Sequence, residues 1–428
     1  MRAATEQAIR ALLDRPALHK VFAALEGEEL RVVGGAVRNA LLGEPVADVD
    51  LAVAAVPETV VEKAERAGIR VVPTGIDHGT VTLVLEDAHF EVTSLREDVE
   101  TDGRRAKVRF GGDFAADAQR RDFTINALSL DAQGRLYDYV GGLDDLARRR
   151  VRFIGEAEQR IGEDYLRILR FFRFSACYGE GPLDPEGLHA CIARRAGMAN
   201  LSRERLGAET LKILAAPRAC EVVAIMSGAG LLDYLHVAPW PARCRRLTAL
   251  LAEREGKDAL LSLAALALHS VADAERLTEA LRLSRAQRRR LASMGEVAAA
   301  WHGATEAPSP AQLREELFLH GAQSARDGLA LVQAESPASP GDEGFRAADA
   351  FLRDTPSPEP PFAAADLIAR GVKQGAGLGA ALKRLQAAWI RAGFPQDPKR
   401  IAALIDAACD VAPSDPATRE SGWTRPPH

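Results

Sequence analysis

VVGGAVRNALLGEPVADVDLAV, residues 32–53, joins two short β-rich runs through a glycine pair and a helical segment. Side chains two apart on a strand share a face, so Asp48 and Asp50 project together. Two carboxylates held that way repel each other unless a cation neutralises them. Mg²⁺ suits the position because it takes oxygen ligands, keeps several waters and bridges to phosphate oxygens. A two-metal clamp calls for a third carboxylate. Glu91, in the strand candidate FEVTSLR (90–96), is the best placed. Gly34-Gly35 lets backbone N–H groups approach a phosphate closely. Arg38, one turn into the following helix, is placed to pair with it. A glycine pair alone reads as a tight turn, and D-x-D alone as a solvated strand edge. The two together, separated by residues 36–47, point to phosphate chemistry instead.

Working outward, β-rich runs alternate with helical ones up to about residue 130. RVVGG, DVDLAV, IRVVPTG, HGTVTLVLE and HFEVTSLR read as strands; RNALLG, ETVVEKAERAG and DFTINALSL read as helices, as do the first thirty residues. Beyond about residue 141 the strand signals vanish and helical patterns fill the chain, including one run over 156–177. GATEAPSPA, ESPASPGDEG and DTPSPEPPF read as linkers, and the terminal APSDPATRESGWTRPPH as disordered. The fold class expected is α+β, a small mixed sheet with helices followed by an all-α region. The domains expected are a head over 1–140, a helical neck over 141–230 and a helical body and tail over 231–428.

The composition is that of an ordinary globular chain: 428 residues, 47% hydrophobic and 27% charged. A net charge of −5 excludes a global basic field, so nucleic-acid binding needs local patches. One such patch is 147–173, with eight arginines against four acids. The five cysteines form no C-x-x-C pair, which argues against structural zinc and suits a reduced, cytoplasmic setting. No apolar run reaches membrane-spanning length, and the first residues lack a signal-peptide pattern.

Three further motifs follow. In RRDFTINALSLD (120–131), Arg120-Arg121 offers guanidinium forks for phosphate or ribose oxygens, and Asp122 an acceptor for a ribose hydroxyl. In LYDYVGGLDDLARRRVRFIG (136–155), Asp138 and Gly141-Gly142 fit a hinge, and Asp144 and Asp145 a helix cap. In GEDYLRILRFFRF (162–174), Asp164 and Arg167 are expected on one helix face. An acceptor beside a donor matches the Watson–Crick edges of cytosine and adenine. Uracil and guanine present the reverse order and would leave buried groups unpaired. Arg170 and Arg173 continue the row toward phosphate.

GG, a spacer and D-x-D on a strand resemble the DNA polymerase β nucleotidyltransferase superfamily. The longer match is similar to the class II tRNA nucleotidyltransferase (CCA-adding) and bacterial poly(A) polymerase family, across about residues 30–215. That family usually reads GGxVRD and ends D-x-D-x-x-T; Asn39 and Val53 depart from it outside the metal carboxylates. The resemblance implies addition of C, C and A to the tRNA 3′ end from CTP and ATP without a nucleic-acid template. It implies two Mg²⁺ ions held by Asp48, Asp50 and Glu91. Gly34, Gly35, Arg38, Arg121, Asp122, Arg170 and Arg173 would bind the nucleotide, and Asp164 and Arg167 would choose its base. The polar segment 94–114 reads as a loop. In CCA-adding relatives a similar loop helps switch the pocket from C to A, which singles out Arg96 and Asp98. LSRERLGAETLKIL (201–214) also matches, with a structural reading only. In the body, Arg288-Arg289-Arg290 is either a tRNA phosphate contact or a solvated face. The rivals are a bacterial poly(A) polymerase, a CC-only adder and a catalytically inactive RNA-binding module. The lack of a basic tail weighs against the first, the loop against the second, and intact Asp48, Asp50 and Arg121 against the third.

Overall fold

The strand β1 (Leu30–Val33) is a short run, apolar but for Arg31, buried at all four positions, and the sheet is assembled around it. The structure, a computed structural model, describes residues 2–76, 79–86, 88–102, 105–252 and 258–409. In chain order the further strands are β2 (Asp50–Val53), β3 (Arg70–Gly75), β4 (Thr80–Leu85), β5 (Ala88–Ser94), β6 (Arg96–Asp102), β7 (Arg105–Phe110), β8 (Ser129–Leu130) and β9 (Leu136–Tyr137). Seven of them form a mixed sheet in the order β3-β4-β5-β2-β1-β8-β9. β1 runs antiparallel to β2, pairing Val33 with Asp50, and β2 runs parallel to β5, pairing Asp50 with Glu91. Alternation decides the faces. Phe90 and Val92 of β5 and Val81 and Leu83 of β4 go into the core, which leaves Glu91 on the open side.

Two expected elements come out differently. DFTINALSL is not a helix. Its Phe123 bridges to Phe153, the Thr124 N–H donates to the Arg152 carbonyl, Thr124–Asn126 form a 3₁₀ turn, and Ser129–Leu130 join the sheet. Tertiary partners claim the backbone groups that a helix would have paired. Segment 94–114 is not a loop throughout, because β6 and β7 pair as an antiparallel hairpin. Its alternating polar and β-branched residues fit a ribbon, which charge alone hides. The Asp98 side chain lies outside the described residues, as does the terminal stretch expected to be disordered.

Helices then take over. Leu166–Tyr178 buries Ile168, Leu169, Phe171 and Phe172. Phe171 stacks on Phe153, ring centroids 5.5 Å apart, and Phe153 packs on Phe123 at 4.8 Å. This aromatic column joins the helix to the RRDF segment. Two further helices follow, Arg203–Leu214 and Ala219–Gly228, with Pro217 between them.

By its contacts the chain divides into two compact units. One holds the described residues up to Pro241 with 258–260 and Leu277–Leu283; the other holds the rest. The regular structure of the second unit is all helix among its described residues. One of its cores is built on Leu313, Leu317, Phe345 and Leu352, another on Trp389, Leu385 and Ile401. Its Glu343–Asp354 helix adjoins the expected linker ESPASPGDEG. Asp342 caps it by accepting the Phe345 N–H at 3.0 Å, and Phe345, Ala348 and Leu352 line one buried face. Arg290, offered above for RNA phosphate, is tied to the fully buried Asp327 at 2.6 Å. Among the described residues no helix is long and apolar enough to cross a membrane.

Candidate active site

β1 runs straight into Gly34, whose φ of +68° favours glycine. A Cβ there would stand 3.0 Å from Arg121 Nη1, so glycine also makes room for that guanidinium. Gly35 opens the helix Gly35–Leu42, and Arg38 follows one turn later. Arg38 is buried, donating to Asn126 Oδ1 and to the Tyr178 hydroxyl at 2.7 Å, and its guanidinium lies 3.9 Å from the Tyr178 ring centre. Burial pulls its pKa down. Arg38 therefore ties the glycine turn to the Leu166–Tyr178 helix as well as facing the cleft.

Asp50 opens β2 in register with Glu91 of β5. Asp48 lies in the segment leading into β2, outside the strand itself. The Asp50 carboxyl is pushed above the ordinary range, first by loss of hydration and then by the Glu91 charge; Arg121 opposes the shift and Asp48 adds to it. Among the described residues no three His, Cys, Asp or Glu side chains already converge into a metal cage. Mg²⁺ does not require one: it binds through one or two carboxylates, waters and substrate phosphates. An all-oxygen donor set with unrelieved negative charge at Asp50 fits it.

The RRD arginine and acid have protein partners. Arg121 Nε donates to Asp117 at 3.0 Å and Nη1 to the Asn126 carbonyl at 3.3 Å. Asp122 Oδ1 accepts from the Phe123 N–H and Asn126 Nδ2, while Oδ2 accepts Arg170 Nε at 2.7 Å. Asp122 thus orients Arg170. Asp138 accepts the N–H groups of Val140, Gly141, Gly142 and Leu143 and is the true cap of that turn. Asp145 instead pairs with Arg152 and accepts the Thr124 hydroxyl.

GEDYLRILRFFRF is broken. A helix over Ala157–Glu163 stops, Asp164 is extended at φ −154°, and a new helix starts at Leu166. Asp164 Oδ1 captures the Leu166 N–H at 3.0 Å, the local competition with helix that Asp side chains offer. Tyr165 packs against Gly197, where a Cβ would fall 1.9 Å from its ring. Asp164 and Arg167 are consequently not partners on one helix face. Asp164 Oδ2 accepts Arg205 Nη2 at 2.7 Å, while Arg167 Nη1 binds Glu163 and the Arg160 carbonyl, both at 2.5 Å. Burial would raise the Asp164 carboxyl, but Arg205, the Leu166 N–H and the Arg167 charge hold it below the ordinary range.

These groups line a cleft of about 860 Å³. Gly34, Gly35, Arg38, Asp50, Arg121 and Asp122 face it from one side; Asp164 and, on the Leu166–Tyr178 helix, Arg167, Arg170 and Arg173 face it from the other. Asp48 and Glu91 lie outside its wall. Arg205 and Lys212 join the lining, and Glu209 accepts Arg173 Nη1 at 2.9 Å. The structural reading of 201–214 missed this face, although charges at 205, 209 and 212 recur at helical spacing. The lining carries seven basic side chains against three carboxylates, an anion-selecting field inside a net-acidic chain.

Residues 30–152 match the Poly A polymerase head domain. The human protein named CCA tRNA nucleotidyltransferase 1, mitochondrial, is 48% identical over 195 residues, 44% of each chain. The CCA-adding enzyme of Streptococcus gordonii is 44% identical over 204 residues, 47% of this chain and 49% of that one. The chain spans about half the length of the curated relatives it matches. Among solved structures, the Bacillus stearothermophilus CCA-adding enzyme in complex with CTP is 28% identical, covers 92% of this chain and 98% of that one, and has a TM-score of 0.70. The Thermotoga maritima CCA-adding enzyme complexed with tRNA, at 18% identity and a TM-score of 0.64, shares the fold. Residues 30–152 thus match the Poly A polymerase head domain, and the chain has the fold of the CCA-adding enzymes.

Proposed function

We propose that the protein is an ATP/CTP:tRNA nucleotidyltransferase that adds C, C and A to the tRNA 3′ end without a nucleic-acid template. The observation that carries this reading is a single cleft with an acid-edged strand at one side and Asp164 and Arg167 at the other. Arg121, Arg170 and Arg173 would bind triphosphate oxygens, and the Gly34-Gly35 turn would let the backbone approach them. Asp164 would accept from the amino group of cytosine or adenine while Arg167 donates to the ring nitrogen beside it. The tRNA 3′-hydroxyl oxygen would then bond to the α-phosphorus as its proton passes to water, the bond from that phosphorus to the α–β bridging oxygen breaks, and pyrophosphate leaves. Asp48, Asp50 and Glu91 would hold two Mg²⁺ ions, which supply charge stabilisation to the attacking and leaving oxygens. The β6–β7 hairpin carrying Arg96 supports full CCA addition over a CC-only product. A cytoplasmic setting belongs to the same reading, as none of the five cysteines forms a disulfide.

The test is incorporation of labelled CTP and ATP, with Mg²⁺, into a tRNA lacking its 3′ end. Two C followed by one A is the expected product. A long A tract would make it a poly(A) polymerase, arrest after two C a CC-adder, and RNA binding without incorporation an inactive module.

A further inference from the structure

The helix Arg203–Leu214 backs both ends of the arginine row. One turn apart on it, Arg205 holds Asp164 and Glu209 holds Arg173. The two pairs differ in kind. Arg205 and Asp164 are half-exposed, so their pair adds little to stability. Glu209 is buried and Arg173 mostly so, and the second Glu209 oxygen has no hydrogen-bond partner.

The chemistry of Asp164 makes the first pair matter. An ionised carboxylate only accepts, so it welcomes an amino group and repels a carbonyl oxygen. A protonated carboxyl donates, and would welcome the carbonyl of uracil or guanine. Discrimination therefore needs Asp164 kept ionised and its free lone pair aimed into the cleft. Arg205 occupies one site on Oδ2 and the Leu166 N–H one on Oδ1, which fixes the plane of the carboxylate.

We propose that Arg205 is a specificity-determining positioning residue, which holds Asp164 as an acceptor-only group, whereas Glu209 on the same helix face positions Arg173 for phosphate without regard to the base. The inference rests on the reading of Asp164 as the base-selecting acid. The other charged group facing Asp164 is Arg167, from the Leu166–Tyr178 helix; its chain neighbour Glu163 faces Arg160 and Arg167 instead. Lowered by Arg205, the Asp164 carboxyl stays ionised in the wild type through mildly acid pH. Without Arg205 the carboxylate keeps only the Leu166 N–H as a partner and can turn its lone pairs away from the amino group of the base.

Equilibrium binding of CTP, ATP and UTP to the full chain, with Mg²⁺ and no tRNA, tests this independently of transfer. For Arg205→Gln, the ratio of UTP to CTP Kd is expected to shrink about tenfold relative to the wild type. For Glu209→Gln, all three Kd values are expected to rise together with the UTP:CTP ratio unchanged; Glu209→Asp carries the same expectation should the first variant not fold. A wild type that binds UTP as well as CTP, an Arg205→Gln ratio equal to the wild type, or equal loss of discrimination in both variants would overturn the proposal. Discrimination in binding by a protein that transfers no nucleotide to tRNA would leave it standing and remove the proposed function instead.

Discussion

At the scale of single residues, the cleft holds charges that the fold does not balance. Asp50 sits near Glu91 and Asp48, and its carboxyl is raised by lost hydration and by their repulsion. Ionised Asp50 therefore opposes folding in the metal-free protein. Asp50→Asn is expected to raise the melting temperature of the metal-free protein slightly, to erase the further rise that Mg²⁺ gives the wild type, and to reduce nucleotide incorporation to background. Calorimetry with and without Mg²⁺ checks the first two, and the tRNA assay the third. A lower metal-free melting temperature would mean that the carboxylate has a structural partner. Spacing alone places Asp50 on a strand, because a strand period of two needs no tertiary knowledge, but Asp48, expected on the same strand face, lies in the segment before it. The partner of Asp164 could not be read from spacing: Arg205 is 41 residues away, and only packing of the neck helices brings them to 2.7 Å.

At the scale of elements, backbone breaks and close contacts decide where side chains point. The stop between Glu163 and Leu166 turns Asp164 away from the helix face that periodicity assigns it. The Arg203–Leu214 helix is held in place at Gly207, where a Cβ would lie 2.0 Å from the Leu281 carbonyl oxygen. Gly207→Ala must push that helix off Leu281 and carry Arg205 and Glu209 with it. Overpacking of this kind costs about 1–3 kcal/mol, so urea unfolding should show a lowered midpoint, and nucleotide Kd should rise. An unchanged midpoint would mean that the contact relaxes freely. Helical periodicity showed most of these elements, because apolar residues repeat on one face. It missed the β6–β7 hairpin and the DFTINALSL turn, whose partners are distant or cross-strand.

For the whole molecule, division into two units separates the places where mutations act. Every residue lining the cleft belongs to the first unit. The second has its own buried anchor. Arg243, 1% exposed, donates to the carbonyls of Ala264, Ala265 and Leu268 at the end of the Ala259–Ala267 helix and pairs with Glu335. Removing one partner of a buried pair typically costs about 3–5 kcal/mol. Arg243→Ala should destabilise the second unit by that order in urea unfolding, while CTP Kd at the cleft stays at the wild-type value. A matching loss of CTP binding would show that the two units unfold as one.

The sequence by itself determined the glycine turn, the acid strand, the RRD segment and the arginine row, and with them the α+β class. Each depends on short-range rules: strand alternation, helical spacing, glycine's access to positive φ. Tertiary structure alone decided the pairings within the cleft: Asp122 to Arg170, Asp164 to Arg205, Arg173 to Glu209. Those partners lie 36 to 48 residues apart in the chain. Which charge meets which is set by the packing of helices whose buried faces are apolar, and apolar faces carry no record of the charges they bring together.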